Sequence, residues 1–416
     1  MKKSAFITNK KIDNRATIAI SGSKSESNRA LILRSISNGL VDIKNLSDAN
    51  DTQVLQSCLS KIELHKKKEV LKLNVGPAGT AMRFLTAFLA FQEGEFEISG
   101  SERMHERPIK ILVEALNSLG ADIKYLGTNG YPPLRINGTK IQKTAEININ
   151  GNVSSQYISA LLLIAPALPL GLKLNIEGKL TSKPYVNMTL NMLNSCGIEY
   201  TWIENQIIIV PQIFKHSQLF IEPDWSSASY WYSIVANSDN LDLFLSGFKK
   251  DSLQGDQKIV EIMKNLGVET KYTSSGINLS RCKSPERELI YDFIECPDLA
   301  QTVAVCCALL GKNLKMKGLE TLKIKETDRI KALKMELSKI NVTLNENGGL
   351  YELNTQNIQY PDKVSIKTYD DHRMAMAFAP LALKINRLEI EDMDVIGKSY
   401  PNFWNDLSKI GIQLTQ

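Results

Sequence analysis

Two kinds of apolar segment alternate along the chain. One kind is apolar nearly all round and follows a short polar opening. The first opening, Ser21-Gly22-Ser23-Lys24-Ser25-Glu26-Ser27-Asn28-Arg29, runs straight into Ala30-Leu31-Ile32-Leu33 and is preceded by the alternating strand Thr17-Ile18-Ala19-Ile20. Five later openings repeat the design: Gly79-Thr80-Ala81-Met82-Arg83, Ser154-Ser155-Gln156, Ser226-Ser227-Ala228-Ser229, Asp298-Leu299-Ala300-Gln301 and Asp371-His372-Arg373-Met374. The second kind is one-faced. From Arg107 to Gly120 the apolar residues fall at Ile109, Leu112, Val113, Leu116 and Leu119, the spacing of an amphipathic helix with Pro108 in its first turn and Gly120 as its stop. The pattern recurs from Pro184 to Gly197, Asp256 to Gly267, Asp328 to Asn341 and Pro401 to Gly411, and more loosely from Asp51 to Ile62. Short alternating strands such as Ala121–Tyr125 and Val268–Tyr272 follow most of these helices.

The last four polar openings stand about 72 residues apart, which is an internal repeat. Each unit reads as strand, buried helix, strands, amphipathic helix, strand, so the class is α/β. Helices apolar all round need cover on every side, which puts them inside, with sheets and amphipathic helices around them. Six such units divide into two domains of three. The opening strand precedes the first helix and is expected to complete the sheet of the far domain. The expected domains are residues 22–224, and 1–21 together with 225–416, with chain crossings near Ser21 and at Pro223-Asp224.

Composition adds limits. With 416 residues the chain exceeds a single core. A net charge of +5 is mild, which favours small anionic ligands over nucleic acid. Cys58, Cys196, Cys282, Cys296, Cys306 and Cys307 form no CxxC pair and read as reduced, buried thiols of a cytoplasmic protein. The start is too polar for a signal-peptide core, and the most apolar stretch, Ser159 to Leu174, is broken by Pro166, Pro169 and Gly171. A soluble chain without membrane contact is expected. The His65-Lys66-Lys67-Lys68 run reads as a solvated loop.

The candidate chemistry gathers at the openings. Helix N-termini attract anions through their unpaired N–H groups. Lys24, Arg29, Arg83, Arg107, Lys325, Arg329, Arg373 and Lys398 stand at or beside them, a cluster suited to ligands carrying phosphates and carboxylates. Two acids stand among these cations. Glu326 lies three residues before Arg329, an offset that puts it on the same helical face, and Asp298 opens its helix. They serve either as ion-pair partner and N-cap or as two proton-transfer groups at a polyanion site. No phosphate loop, dinucleotide fingerprint, metal-ligand spacing or nucleophile elbow is present in the sequence, so neither metal nor cofactor is expected.

Taken in order, Gly22-Ser23-Lys24-Ser25 through Arg29, Ala78-Gly79-Thr80-Ala81-Met82-Arg83, Glu106-Arg107-Pro108, Ser154-Ser155-Gln156 and Ser182-Lys183-Pro184-Tyr185 carry a family resemblance. Pro297-Asp298, Lys325-Glu326-Thr327-Asp328-Arg329, Asp371-His372-Arg373-Met374-Ala375-Met376 and Gly397-Lys398 extend it over nearly the whole chain. The chain resembles the EPSP synthase family of enolpyruvyl transferases. The resemblance implies an inside-out α/β barrel in two domains, each of three βαβαββ repeats, with the active site in the cleft between them. It implies transfer of the enolpyruvyl group of phosphoenolpyruvate to the 5-hydroxyl of shikimate 3-phosphate, in a monomer. It also implies inhibition by glyphosate at the phosphoenolpyruvate site.

By the same resemblance, Lys24, Ser25, Arg29, Ser154, Ser155, Gln156, Ser182, Tyr185, Asp298 and Lys325 are ligands of shikimate 3-phosphate. Lys24, Gly79, Arg107, Gln156, Arg329, Arg373 and Lys398 are ligands of phosphoenolpyruvate. Lys24, Asp298, Glu326 and His372 form the catalytic set: Asp298 and Glu326 exchange protons with the hydroxyl and the enol carbon, and His372 orients Glu326. Three positions depart from the family pattern: Pro77 for a common Asn, Thr321 for an Asn, and Phe84 for a Pro. The alternatives are a sister transferase acting on UDP-N-acetylglucosamine, which is expected to carry a loop cysteine missing beside Arg107, and a non-catalytic polyanion-binding protein.

Overall fold

In a computed structural model of the chain, which describes residues 4–9, 14–66, 69–152, 154–284 and 288–415, each polar opening becomes the start of a buried helix. Lys67 and Lys68 of the basic run lie outside the described residues. Four openings are capped by their own side chains: Ser23 accepts from the Glu26 N–H, Ser154 from Gln156, Asp224 from Ser227 and Asp371 from Arg373. Asp298 does not cap. It sits in the one-turn helix Pro297–Leu299, whose N-cap position is Cys296, and its carboxylate is engaged elsewhere.

The chain divides into two compact units, Met1–Ser21 with Glu222–Gln416, and Gly22–Ile221. The second crossing falls just ahead of the Pro223-Asp224 hinge read from the sequence. Glu222 takes the indole N–H of Trp225 and the backbone N–H of Lys249, and the Asp224 N–H donates to Ser21, so these residues are tied to the unit they enter.

Within Gly22–Ile221 the buried helices Lys24–Ile36, Gly79–Ala90 and Ser155–Ile164 pack on one another. In the other unit Trp225–Asn237, Ala300–Leu309 and His372–Phe378 do the same. All ten residues of Ala300–Leu309 are buried, whereas Lys110–Leu119 buries only Leu112, Val113, Ala115, Leu116 and Leu119. That contrast is the one the sequence pattern draws. Each unit has its own apolar core.

Among the described residues each unit has three sheets. Five sheets have four strands and one pattern: a parallel pair, then two antiparallel neighbours. Leu71–Asn74 pairs in parallel with Gly94–Ser99 across the Gly79–Ala90 helix, for example, and Leu134–Gly138 and Asp122–Tyr125 continue the sheet. The chain's opening supplies two strands rather than one. Ala5–Asn9 inserts antiparallel between Arg387–Ile390 and Ile412–Thr415, and Arg15–Ile18 runs parallel to Asp242–Ser246. In Gly22–Ile221 the shortened first repeat keeps only a parallel pair, Val41–Lys44 with Ser217–Phe220.

Helix stops follow the sequence. Gly120, Gly197, Gly267, Asn341 and Gly411 all adopt left-handed backbone. The starts are less regular. The helix expected from Arg107 begins at Lys110, because Arg107 is extended and the Pro108 carbonyl is held by Arg83 and by the Tyr157 hydroxyl. The helix expected from Asp256 opens as the short turn Gly255–Lys258 before Ile259–Asn265. All six cysteines are free, and all but Cys282 are buried. No helix among the described residues is long and apolar enough to cross a membrane.

Gly22, which starts the first buried unit, is required by a close approach. A Cβ there would lie 1.9 Å from the Asn45 carbonyl oxygen, which is backbone and cannot turn aside. Gly22→Ala is expected to lower the stability of the unit by at least about 2 kcal/mol, read as a lower urea midpoint. An unchanged midpoint would mean that the Asn45 turn yields freely.

Candidate functional site

In Gly22–Ile221 the three buried helices are joined near their N-termini by polar side chains. Lys24 is the first residue of its helix, with Nζ 3.4 Å from Asp51 at the start of Asn50–Glu63. Arg29 is buried and donates from Nε to Thr189 (2.7 Å), from Nη1 to the Ser25 carbonyl (2.8 Å) and from Nη2 to Ser159 (2.9 Å) and the Tyr185 carbonyl (3.3 Å). The Phe84 ring lies 5.4 Å from its guanidinium carbon and the Tyr185 ring 5.9 Å, so the residue that departs from the family pattern packs on a proposed ligand. No carboxylate pairs with Arg29 among the described residues. Burial lowers its pKa to about 10, against which Tyr185 and Glu26 act only in part.

Gly79 is the first residue of its helix, and its carbonyl accepts from Arg83 Nη1 (3.0 Å). Arg83, counted with the cations from its position, turns inward to Gly79, Met104 and the Pro108 carbonyl. It braces the loop that carries Arg107. Arg107 is the opposite case. It is buried, and among the described residues its guanidinium makes a single hydrogen bond, a 3.5 Å contact from Nη1 to the Pro77 carbonyl, while its Nε has no partner. A buried guanidinium so poorly satisfied is costly unless an anion joins it. Gln156 donates to Thr80 (3.3 Å), linking the second and third helices, while Ser154 caps and Ser155 begins the third. Ser182 takes left-handed backbone (φ 54°) at the cap of Lys183–Ser195, two residues before Pro184 and three before Tyr185.

In the other unit the predicted residues form one ion-pair network. Asp298 Oδ1 accepts from Arg329 Nη1 (2.8 Å) and lies 3.6 Å from Lys325 Nζ, and its Oδ2 accepts from Arg373 Nη2 (2.9 Å). Glu326 accepts from Arg329 Nη2 (2.9 Å) and pairs with Lys398 (3.1 Å). The Glu326–Arg329 contact is the one expected, but Glu326 is not on a helix face. The helix begins at Arg329 with Asp328 as its cap, and Glu326 reaches back from the preceding turn. Arg329 Nε donates to Asp371 (2.7 Å), and His372 Nδ1 lies 3.7 Å from that carboxylate. His372 therefore connects to Glu326 through Asp371 and Arg329. Four cations face three carboxylates.

These neighbours shift proton affinities. Burial alone would raise the Asp298 pKa, but Arg373, Lys325 and Arg329 outweigh it and hold the carboxyl well below the usual range. Burial lowers the Lys325 pKa, opposed chiefly by Asp298. Burial would also lower Arg329, yet Asp371, Glu326 and Asp298 raise it instead. Burial keeps the Tyr230 phenol protonated, and its oxygen accepts from Arg373 Nη1 (3.4 Å).

The network is built on strained backbone. Tyr369 and Asp370, just ahead of Asp371, both adopt left-handed φ, which costs roughly 1–3 kcal/mol for each such residue. The Tyr369 hydroxyl donates to Glu336 (2.6 Å), and Glu336 also accepts from the Lys367 N–H, so the turn is held against the helix that starts at Arg329.

Sequence reasoning missed Asp51, Asp256, Ser226 and the pairing role of Asp371. Each lies at or beside a helix start, where a small or acidic residue already has a reason to be. The Lys24–Asp51 contact joins residues 27 apart, a pairing that no periodicity exposes.

The model of the EPSP synthase (3-phosphoshikimate 1-carboxyvinyltransferase) family matches residues 9–407. The chain is 46% identical to a 3-phosphoshikimate 1-carboxyvinyltransferase of Bacteroides fragilis, over 95% of each protein. It is 34% identical to one from Photobacterium damsela, over 94% of this chain and 96% of the relative. Among solved structures it resembles the EPSP synthase of Acinetobacter baumannii, with a TM-score of 0.78 at 18% identity over 99% of both chains. The enolpyruvyl transferase NikO of Streptomyces tendae gives a TM-score of 0.74 at 13% identity, covering 100% of this chain and 99% of that one.

Proposed function

The chain belongs to the EPSP synthase family, and from that premise we propose how its two sets of side chains divide the chemistry. The reaction transfers the 1-carboxyvinyl group of phosphoenolpyruvate to the 5-hydroxyl of shikimate 3-phosphate and releases phosphate. The family match and the 46% identity favour this acceptor over UDP-N-acetylglucosamine.

The observation that carries the division is a difference in charge pairing. Arg29 and Arg107 are buried with no carboxylate among the described residues, whereas Arg329 and Arg373 are held by Asp298, Glu326 and Asp371. In our reading Arg29, with Lys24, Ser25, Ser154, Ser155, Gln156, Ser182 and Tyr185, takes shikimate 3-phosphate. Arg107, with Lys24, Gly79 and Gln156, takes phosphoenolpyruvate. An incoming anion there gains a charge partner and displaces none. Asp298 and Lys325 also serve the first substrate; Arg329, Arg373 and Lys398 also serve the second.

The acids are tuned by the ligands they await. While three cations hold its pKa down, Asp298 is a poor base. Substrate phosphate and carboxylate groups drawn to Lys325 and Arg373 weaken that hold, so Asp298 gains basicity once both substrates are bound. Glu326, protonated from solvent, then delivers that proton to the enol carbon, C2 becomes cationic, and the 5-hydroxyl attacks as Asp298 takes its proton. The tetrahedral intermediate collapses by carbon–oxygen cleavage: phosphate leaves with the proton held by Asp298, and the methyl carbon returns a proton to Glu326, so both acids are restored. The reading includes a monomer in the cytoplasm, where five buried free thiols are at home, and glyphosate as a competitor at the phosphoenolpyruvate site.

Phosphate release from phosphoenolpyruvate is the test. Release is expected only when shikimate 3-phosphate is added. Release with UDP-N-acetylglucosamine instead would favour the sister activity, and ligand binding without release would leave a non-catalytic polyanion binder.

A further inference from the structure

Asp256 is a buried acid for which the mechanism above has no use. It is the second residue of the turn Gly255–Lys258 and is 3% exposed. Gln254 beside it donates to the Pro223 carbonyl (2.9 Å) and accepts from the Trp225 N–H (2.8 Å), which fixes the turn against the start of Trp225–Asn237. The Asp256 carboxyl accepts the Ser226 hydroxyl. Ser226 Oγ in turn accepts from Arg373 Nη2 (3.2 Å), the same nitrogen that donates to Asp298 (2.9 Å). The second Asp256 oxygen has no hydrogen-bond partner among the described residues.

We propose that Asp256 is a positioning residue that acts through Ser226 to set how strongly Arg373 holds the phosphoenolpyruvate anion. This rests on the reading that Arg373 is a ligand of that substrate. Two effects act together when Asp256 is ionised. It adds a fourth carboxylate to a cluster of four cations, removing the surplus positive charge that an anion would meet. It also fixes the Ser226 proton toward itself, which leaves the serine lone pairs to Arg373 and holds the guanidinium to the Asp256 side. When Asp256 is neutral both effects are lost and Arg373 is freer to grip the substrate.

The groups facing Asp256 favour its neutral form. Burial acts first and the Asp298 charge second, raising its pKa to about 7; Arg373 and the Ser226 hydrogen bond act the other way, and Asp224 adds to the rise. The Cys296 thiol also faces it and is itself raised by burial and by Asp256. The balance between the two forms therefore falls at working pH.

The test compares parent and Asp256→Asn, which keeps the shape and cannot ionise. Between pH 6 and pH 8.5 the parent KM for phosphoenolpyruvate is expected to rise at least about fivefold relative to the variant, with kcat moving much less. Titration of the substrate's phosphate is common to both proteins and drops out of the ratio. Stability gives a second reading. A raised carboxyl pKa means the folded state holds a proton that the unfolded chain has lost between about pH 4 and pH 7, so the parent loses stability as pH rises through that window. Asp256→Asn should therefore gain in melting temperature over the parent at pH 8.5 compared with pH 5.5.

If Asp256→Asn does not fold, Ser226→Ala serves instead. Losing the serine removes the path to Arg373 and raises the Asp256 pKa further, so the KM rise should shrink and move to higher pH. Parallel KM profiles for parent and Asp256→Asn, or an unmoved inflection in Ser226→Ala, would overturn the proposal. Arg373→Lys separates it from the reading beneath. If that variant leaves KM unchanged at every pH, Arg373 is not a ligand and both fall. If KM rises in Arg373→Lys while Asp256→Asn keeps the parent profile, only the role of Asp256 is lost.

Discussion

Glu326→Gln is expected to lower kcat at least about 100-fold, the low end for losing a general acid–base group, while KM for phosphoenolpyruvate changes less than about threefold. The glutamine keeps the length of the side chain and one carbonyl oxygen, but not the transferable proton. Glu326 now accepts from both Arg329 and Lys398, so the variant leaves one of these cations facing an amide NH2. Arg329 keeps Asp298 and Asp371, which should preserve the fold of the turn. The cluster gains one net positive charge, and an anionic substrate is not disfavoured by that. Deuterium uptake at the enol carbon in D2O gives a separate reading. Protonation makes a methyl group whose hydrogens exchange with solvent, and the variant should take up deuterium more slowly in proportion to its kcat. A variant that turns over near the parent rate would make Glu326 a structural ion-pair partner. The proton would then have to come from another group.

That structural alternative was open in the sequence because two roles share one signature. An acid near a helix start is an N-cap in one protein and a proton donor in another. The structure separates them for Asp298, which caps nothing and meets three cations. Asp328 and Asp371, of the same residue type at similar openings, do cap. The repeat was legible because periodicity is local: helix faces and stops at Gly120 or Gly197 depend on a dozen neighbouring residues. The two opening strands were not separable, because joining sheets hundreds of residues away leaves no mark in an alternating pattern. Cation roles were illegible for the same reason. Arg83 and Arg107 both stand beside openings, but only three-dimensional packing shows that one is satisfied by carbonyls and the other is nearly bare.

Gly79→Ala should weaken glyphosate inhibition at least about tenfold more than it weakens phosphoenolpyruvate binding, with little change in stability. A hydrogen in place of a side chain at this position leaves room beside the proposed site. The structure says what fills that room. A Cβ on Gly79 would lie 2.7 Å from both terminal nitrogens of Arg107 and 2.8 Å from Arg83 Nη1. These are ends of flexible side chains, so the fold can accommodate the methyl group, and the melting temperature should stay within about 2 °C of the parent. Accommodation has a functional cost, because Arg107 is a buried cation with no carboxylate among the described residues to hold it elsewhere. Moving its guanidinium shifts a group proposed to bind phosphoenolpyruvate, so KM for that substrate should rise as well. A conflict of this kind costs about 1–3 kcal/mol, and the planar donor can absorb more of it by a small tilt than the longer, tetrahedral inhibitor can. Inhibition constants measured at several phosphoenolpyruvate concentrations in parent and Gly79→Ala decide the matter. Inhibition that does not compete with phosphoenolpyruvate in the parent would place glyphosate elsewhere. Equal losses for inhibitor and donor would mean that the displaced Arg107 alone, and not the shape of the pocket beside Gly79, controls both.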